Sequence, residues 1–191
     1  MGPPTPLTYG LDIETDTTVD GLDPSVAAVV AIALSGDGIE IVLDGPEPTI
    51  ITELDRALAE LPAGVLVTWN GGGFDLPFLH HRADLLGLRL GLELQPGLAG
   101  SHRARWHHHR HLDGYQLFRA DVGASLHFSC GLKPLARMVG LPVIEVDRER
   151  IHELSVEEQR AYVASDARLA RALVARRAHW EAGIDQVSSG T

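Results

Sequence analysis

The chain has 191 residues, 45% of them hydrophobic and 22% charged, which is enough apolar material for one globular domain to bury a core without metal or disulfide support. A formal net charge of −10 excludes a protein that grips a polyanion over its whole surface. The lone cysteine, Cys130, excludes an intramolecular disulfide and a cysteine-rich zinc site, and fits a reducing, cytoplasmic setting.

The opening Met-Gly-Pro-Pro-Thr-Pro lacks the basic start and apolar run of a signal peptide, and Pro6 stands where myristoylation needs Ser or Thr. Residues 7–13 alternate loosely and end in Leu-Asp-Ile-Glu, which predicts a strand. Residues 26–34 form the longest apolar run, about half of what a bilayer crossing needs, and read as a buried strand. A third strand over 38–43 follows the Ser-Gly-Asp-Gly turn. Ile50, Ile51, Leu54, Leu58 and Leu61 recur at helical spacing, predicting a helix over 48–61 that Pro62 and Gly64 end. A short β-type run over 65–69 leads through Asn-Gly-Gly-Gly into a second helical pattern over 74–88.

Residues 91–112 are rich in Gly, His and Arg without a clear period and are expected to form a long loop. From Ser101 to Leu112, Arg103, Arg105 and Arg110 stand among five histidines and no acid, a composition suited to facing phosphates. The run His107, His108, His109 and His111 also invites a metal-site reading, although consecutive loop histidines do not all point one way. A last strand over 115–118, a short helix over 132–139 and a long terminal helix over 155–182 complete the series, the last opened by a Ser155 to Glu158 capping box. Residues 3–6 and 187–191 read as frayed tails. The order β-β-β-α-β-α-β-α-α predicts an α/β domain with a mixed sheet flanked by helices.

Four acids stand out against this frame. Asp12 and Glu14, two apart on a strand, project from one face, where a divalent cation would stabilise both as anions; a strand end emerging into solvent explains them equally. Asp75 follows a glycine turn at the start of a helix, where it serves either as a helix cap or as part of a site at the carboxyl edge of the sheet. Tyr162 and Asp166, four apart, share one face of the terminal helix. Each pattern is common alone, and it is their combination and order that point to a site.

Taken together, Leu-Asp12-Ile-Glu14-Thr, Asn70-Gly-Gly-Gly-Phe74-Asp75 and Tyr162-Val-Ala-Ser-Asp166 resemble the three motifs of the DnaQ-like, or DEDD, 3′-to-5′ exonucleases. The tyrosine places the resemblance in the DEDDy branch, and residues 65–79, with Arg82 and Ala83 behind them, look most like the proofreading domain of family B DNA polymerases. The resemblance spans about residues 7–175. It implies a ribonuclease H-like fold with a central mixed five-stranded sheet, its second strand antiparallel to the rest, in one exonuclease domain over 1–191 with a core of about 7–182.

It also implies two divalent cations, Mg²⁺ or Mn²⁺, roughly 4 Å apart and held by Asp12, Glu14, Asp75 and Asp166. The implied reaction releases nucleoside 5′-monophosphates from single-stranded or frayed DNA 3′ ends. Tyr162 would contact the attacking water, a positioning task suited to a phenol with an ordinary pKa of about 10. Thr15 through its backbone amide, Asn70 by polar contact and Phe74 by packing would meet the terminal nucleotides, although Phe74 fits the core equally well. Asp113 resembles an aspartate that precedes a late strand in these domains and is read as structural. Two alternatives stand beside this reading: a 3′-to-5′ exoribonuclease of the ribonuclease D-like kind, and a non-catalytic nucleic-acid-binding module of the same fold. With no polymerase motif in the chain, proofreading would serve another protein, an unidentified replication or repair partner.

Overall fold

The structure is a computed structural model that describes residues 6–97 and 100–177. Seven strands form one sheet in the order β3-β2-β1-β4-β7-β6-β5, from β1 (Thr8–Thr15), β2 (Val29–Gly36), β3 (Ile39–Asp44), β4 (Val65–Thr68), β5 (Leu92–Pro96), β6 (His102–Trp106) and β7 (His109–Asp113). β1, β4 and β7 run parallel, while β2 lies antiparallel to β1. The helices are α1 (Glu47–Glu60), α2 (Asp75–Leu85), α3 (Gly114–Phe118), α4 (Ala124–Leu126), α5 (Leu132–Met138) and α6 (Val156–Ala175).

Two layers of helix cover the sheet. Ile50, Ile51, Leu54 and Leu58 of α1 and Leu76 and Leu79 of α2 bury against Tyr9, Leu11 and Ile13 on one face. On the other face α5 and α6 pack on Val65, Val67 and Leu112, and Val163, Ala164 and Ala167 of α6 meet Ala31 and Ala33 of β2. The small side chains in this last layer let helix and strands approach closely. At Gly10 the approach reaches the backbone: a Cβ there would stand 2.0 Å from the carbonyl oxygen of Ala167. The start of α6 carries the expected reciprocal cap, with Ser155 Oγ accepting from Glu158 N at 3.2 Å and the Glu158 carboxylate accepting from Ser155 N at 2.8 Å. The helix ends at Ala175 with Arg176 as its C-cap, short of the expected 182, while residues 178–182 and the tail over 187–191 lie outside the described residues. No helix among the described residues is long and apolar enough to cross a membrane.

Residues 91–112 depart from expectation. Instead of a loop they contribute β5, β6 and β7, so the sheet has seven strands and not five. The expected strand over 115–118 is helix α3, nucleated by Asp113 as its N-cap. Hydropathy hides β7 because imidazoles occupy two of its inward positions, and β5 and β6 because each buries a single residue, Leu92 and Trp106. His109 is fully buried and its Nε2 lies 2.8 Å from the carbonyl oxygen of Leu58; buried His111 places Nε2 2.8 Å from Thr68 Oγ1. His108 reaches the Leu61 carbonyl at 2.6 Å, and His107 lies 3.0 Å from a carboxylate oxygen of Asp55, which also accepts from Trp106 Nε1 at 2.7 Å and Gly91 N at 2.8 Å. The histidine run is therefore a fastening of the β5–β7 segment, to α1 and its end through His107, His108 and His109 and to β4 through His111, and not a solvated loop.

This fastening makes the fold acid-sensitive. Burial pushes the His111 pKa down from 6.5 to about 4 and lowers that of His109 in the same direction. The unfolded chain binds these protons below pH 6.5 and the folded chain does not, so their stabilisation is complete above that pH and lost as pH falls toward about 4. Urea unfolding should show a loss on the order of 2 kcal/mol from His111 alone between about pH 7 and about pH 5, reduced in His111→Gln. A flat or rising profile across that window would contradict the fastening.

Candidate active site

Along β1 the side chains of Tyr9, Leu11 and Ile13 enter the core, which leaves Gly10, Asp12 and Glu14 on the face that α6 covers. A register shift between Glu14 and Thr15, where the partners step from Ala31 to Val29, bends the strand end at the site. Thr15 Oγ1 donates to the Gly21 carbonyl at 2.7 Å and ties down the following loop, from which Thr17, Val19 and Leu22 form one rim of a cleft.

The second contribution comes from the end of β4. The chain turns through Asn70, whose φ of 66° lies in the left-handed region, and Gly73 and Phe74 donate to the Asn70 carbonyl at 2.9 and 3.0 Å. Phe74 takes the N-cap position of α2 and makes no side-chain cap bond, so Asp75 is the first residue inside the helix and not its cap. Buried Asp75 faces the cleft from there. The Phe74 ring lies 5.2 Å from that of Phe78 and packs on the core while also lining the cleft.

The third contribution is one face of α6. Tyr162 and Asp166, one turn apart and both buried, close the floor of the cleft. Asp12, Glu14, Thr15, Asn70, Phe74, Asp75, Tyr162 and Asp166, drawn from across the chain, thus line a single cleft of about 910 Å³.

One residue of the site was missed from sequence. Lys133 on α5, only 9% exposed, sets its ammonium 2.8 Å from Asp166 Oδ1 and 4.0 Å from the centre of the Tyr162 ring, and also donates to the Ile144 carbonyl. The signal available was a lysine flanked by Leu132, Leu135 and Ala136, the apolar stripe of a short helix. Buried acids in a low-dielectric floor need such a positive neighbour.

The donor set is carboxylate oxygen, which suits hard cations such as Mg²⁺ and Mn²⁺. Among the described residues no three Asp, Glu, His or Cys side chains stand close enough to enclose an ion as they are oriented. Loading would require the carboxylates to converge and Asp166 to share its charge between the ion and Lys133.

Residues 26–168 match a family described as a predicted 3′-5′ exonuclease related to the exonuclease domain of PolB. The chain belongs to this family. The match includes Asn70, Asp75, Lys133, Tyr162 and Asp166 and begins after Asp12 and Glu14. The family B DNA polymerase from the hyperthermophilic archaeon Pyrobaculum calidifontis superposes over 100% of the chain with a TM-score of 0.80 at 22% identity. The PolB-related exonuclease chain spans 28% of that polymerase's length, and the likeness establishes the shared ribonuclease H-like fold. A search of curated proteins gave no match.

Proposed function

We propose that this chain is a metal-dependent 3′-to-5′ exonuclease that removes nucleoside 5′-monophosphates from single-stranded or frayed DNA 3′ ends. The reading is carried by one observation: in a chain of the PolB-related exonuclease family, Asp12, Glu14, Asp75, Tyr162 and Asp166 line the same cleft. The four carboxylates would hold two divalent cations, Mg²⁺ or Mn²⁺, which supply an activated water and offset charge on the phosphoryl and leaving oxygens. Tyr162 orients the water through its hydroxyl. The Lys133 ammonium holds the Asp166 carboxylate and the Tyr162 ring in place from behind. Asn70, Phe74 and the backbone of Thr15 retain the terminal nucleotides. The preference for DNA over RNA rests on the DNA polymerase among the structural neighbours. A cytoplasmic setting rests on the single Cys130, and a replication or repair partner on the likeness to part of a DNA polymerase.

With Mn²⁺ the protein should shorten a 5′-labelled single strand stepwise from its 3′ end, and Asp12→Ala should lower the rate by on the order of 10³. Equal cutting of a circular strand would refute exonucleolytic polarity. A matched RNA strand degraded faster than DNA would shift the assignment to the exoribonuclease alternative.

The cleft also predicts how the strand is held. Its lining carries five carboxylates, Asp12, Glu14, Asp20, Asp75 and Asp166, and among the described residues no Lys, Arg or His. Leu22, Trp69, Phe74 and Tyr115 offer apolar and aromatic surface instead. Packing of unpaired bases therefore dominates over neutralisation of phosphates. With about one phosphate contact, KM should rise no more than about threefold as KCl increases from roughly 50 to 200 mM at fixed Mn²⁺, whereas a five-contact basic groove would give about a hundredfold. A steep rise would show that cations outside the cleft do the holding.

A further inference from the structure

The turn over residues 70–73 is held from outside itself, and by residues with no part in the chemistry. Asp113, at the end of β7, accepts from Asn70 N at 2.9 Å through Oδ1 and from Gly72 N at 3.0 Å through Oδ2. The amide between them, Gly71 N, donates to Thr68 Oγ1 at 3.1 Å. Three successive amides thus end on side chains of β4 and β7. At the carbonyl end of Gly72, His102 N at the start of β6 donates to the Gly72 oxygen at 2.7 Å, and the His102 ring lies 3.2 Å from that oxygen. There is no slack at this point, because a Cβ at Gly72 would stand 2.6 Å from the His102 carbonyl oxygen and 3.2 Å from Asp113 Oδ2.

Asn70 has a φ of 66°, a left-handed conformation that asparagine adopts more readily than other side-chain-bearing residues, and the bonds to its neighbours fix the turn in it. We propose that Asp113, Thr68 and the β6 strand carrying His102 form a positioning clamp that holds Asn70 toward the strand being degraded. The proposal rests on the nuclease reading above. It gives the β5–β6 hairpin a purpose: the added strands reach back to grip the turn that presents the substrate residue. Asp113, which sequence reading left as merely structural, becomes a residue that acts on affinity through Asn70.

Two variants separate the clamp from general stability. Asp113→Asn keeps an oxygen for Asn70 N and for the α3 cap, where Tyr115 N bonds at 3.0 Å, but turns an NH₂ group toward Gly72 N–H. Thr68→Val releases Gly71 N while preserving volume. Amide hydrogen exchange by NMR is measured for residues 70–72, with KM and kcat on a labelled single strand and the melting temperature alongside. The clamp predicts that in Asp113→Asn the Gly72 amide exchanges at least about tenfold faster and KM rises about tenfold, with kcat within about twofold and Tm nearly unchanged. Thr68→Val also removes the partner of buried His111 and lowers Tm for that reason, so it is read by faster exchange at Gly71 and a rise in KM. Faster exchange with unchanged KM would overturn the positioning role, and so would a fall in Tm and kcat without a change in KM. If the wild type degrades no strand, the nuclease reading fails by itself, and unaltered exchange at Gly72 in Asp113→Asn would still overturn the clamp.

Discussion

Helix α6 rests on β1 with no side chain between them at residue 10, and that contact sets how near the helix carboxylate comes to the strand carboxylates. Gly10 lies two residues before Asp12 and Ala167 one residue after Asp166, so this close backbone approach adjoins the acids on both elements. Alanines at 31, 33, 164 and 167 continue the thin layer toward β2. Any side chain at residue 10 would have to displace the Ala167 carbonyl, carrying Tyr162 and Asp166 away from Asp12 and Glu14. The packing of small residues here belongs to the geometry of the site as much as to the stability of the fold.

Bringing acids together has an electrostatic cost that the chain meets locally. Glu14, Asp75 and Asp166 are buried within one cleft, where like charges repel strongly and water screens them poorly. Lys133 answers this from the protein side, pairing with Asp166 and resting on the electron-rich face of Tyr162. Further out, Arg82 binds Glu47 through two nitrogens at 2.6 and 2.8 Å and reaches the Pro24 carbonyl at 3.0 Å, while Glu47 accepts from Val29 N at 2.8 Å. That pair joins α1, α2 and the segment leading into β2, and α2 is the helix that carries Asp75 into the cleft.

Regular periodicity made most of this legible in the sequence. The apolar runs gave β1 to β4, the helical spacing of Ile50, Ile51, Leu54 and Leu58 gave α1, and the Ser155 to Glu158 box gave the start of α6. The strands from 92 to 113 were not legible because alternation of burial was not alternation of hydropathy. His109 and His111 face inward, Arg105 and Arg110 face outward across the β6–β7 pair, and all four look polar in the sequence. Such positions depend on partners in α1 and β4 that only the folded chain supplies. Lys133 was obscured for a related reason, since a lysine on a short helix ordinarily lies in solvent. The candidate site residues from β1, the β4 turn and α6 meet in one cleft, whereas the contacts around Gly72 depend on which strands end beside it.

The central claim is that Asp12, Glu14, Asp75 and Asp166 form one cation-binding centre. Crystals of the protein soaked with Mn²⁺ and a short single strand, measured at the manganese absorption edge, test it directly. The account predicts anomalous peaks for two ions bounded by these four carboxylates, with Lys133 still beside Asp166. Peaks confined to other parts of the molecule, or none at saturating Mn²⁺, would contradict it.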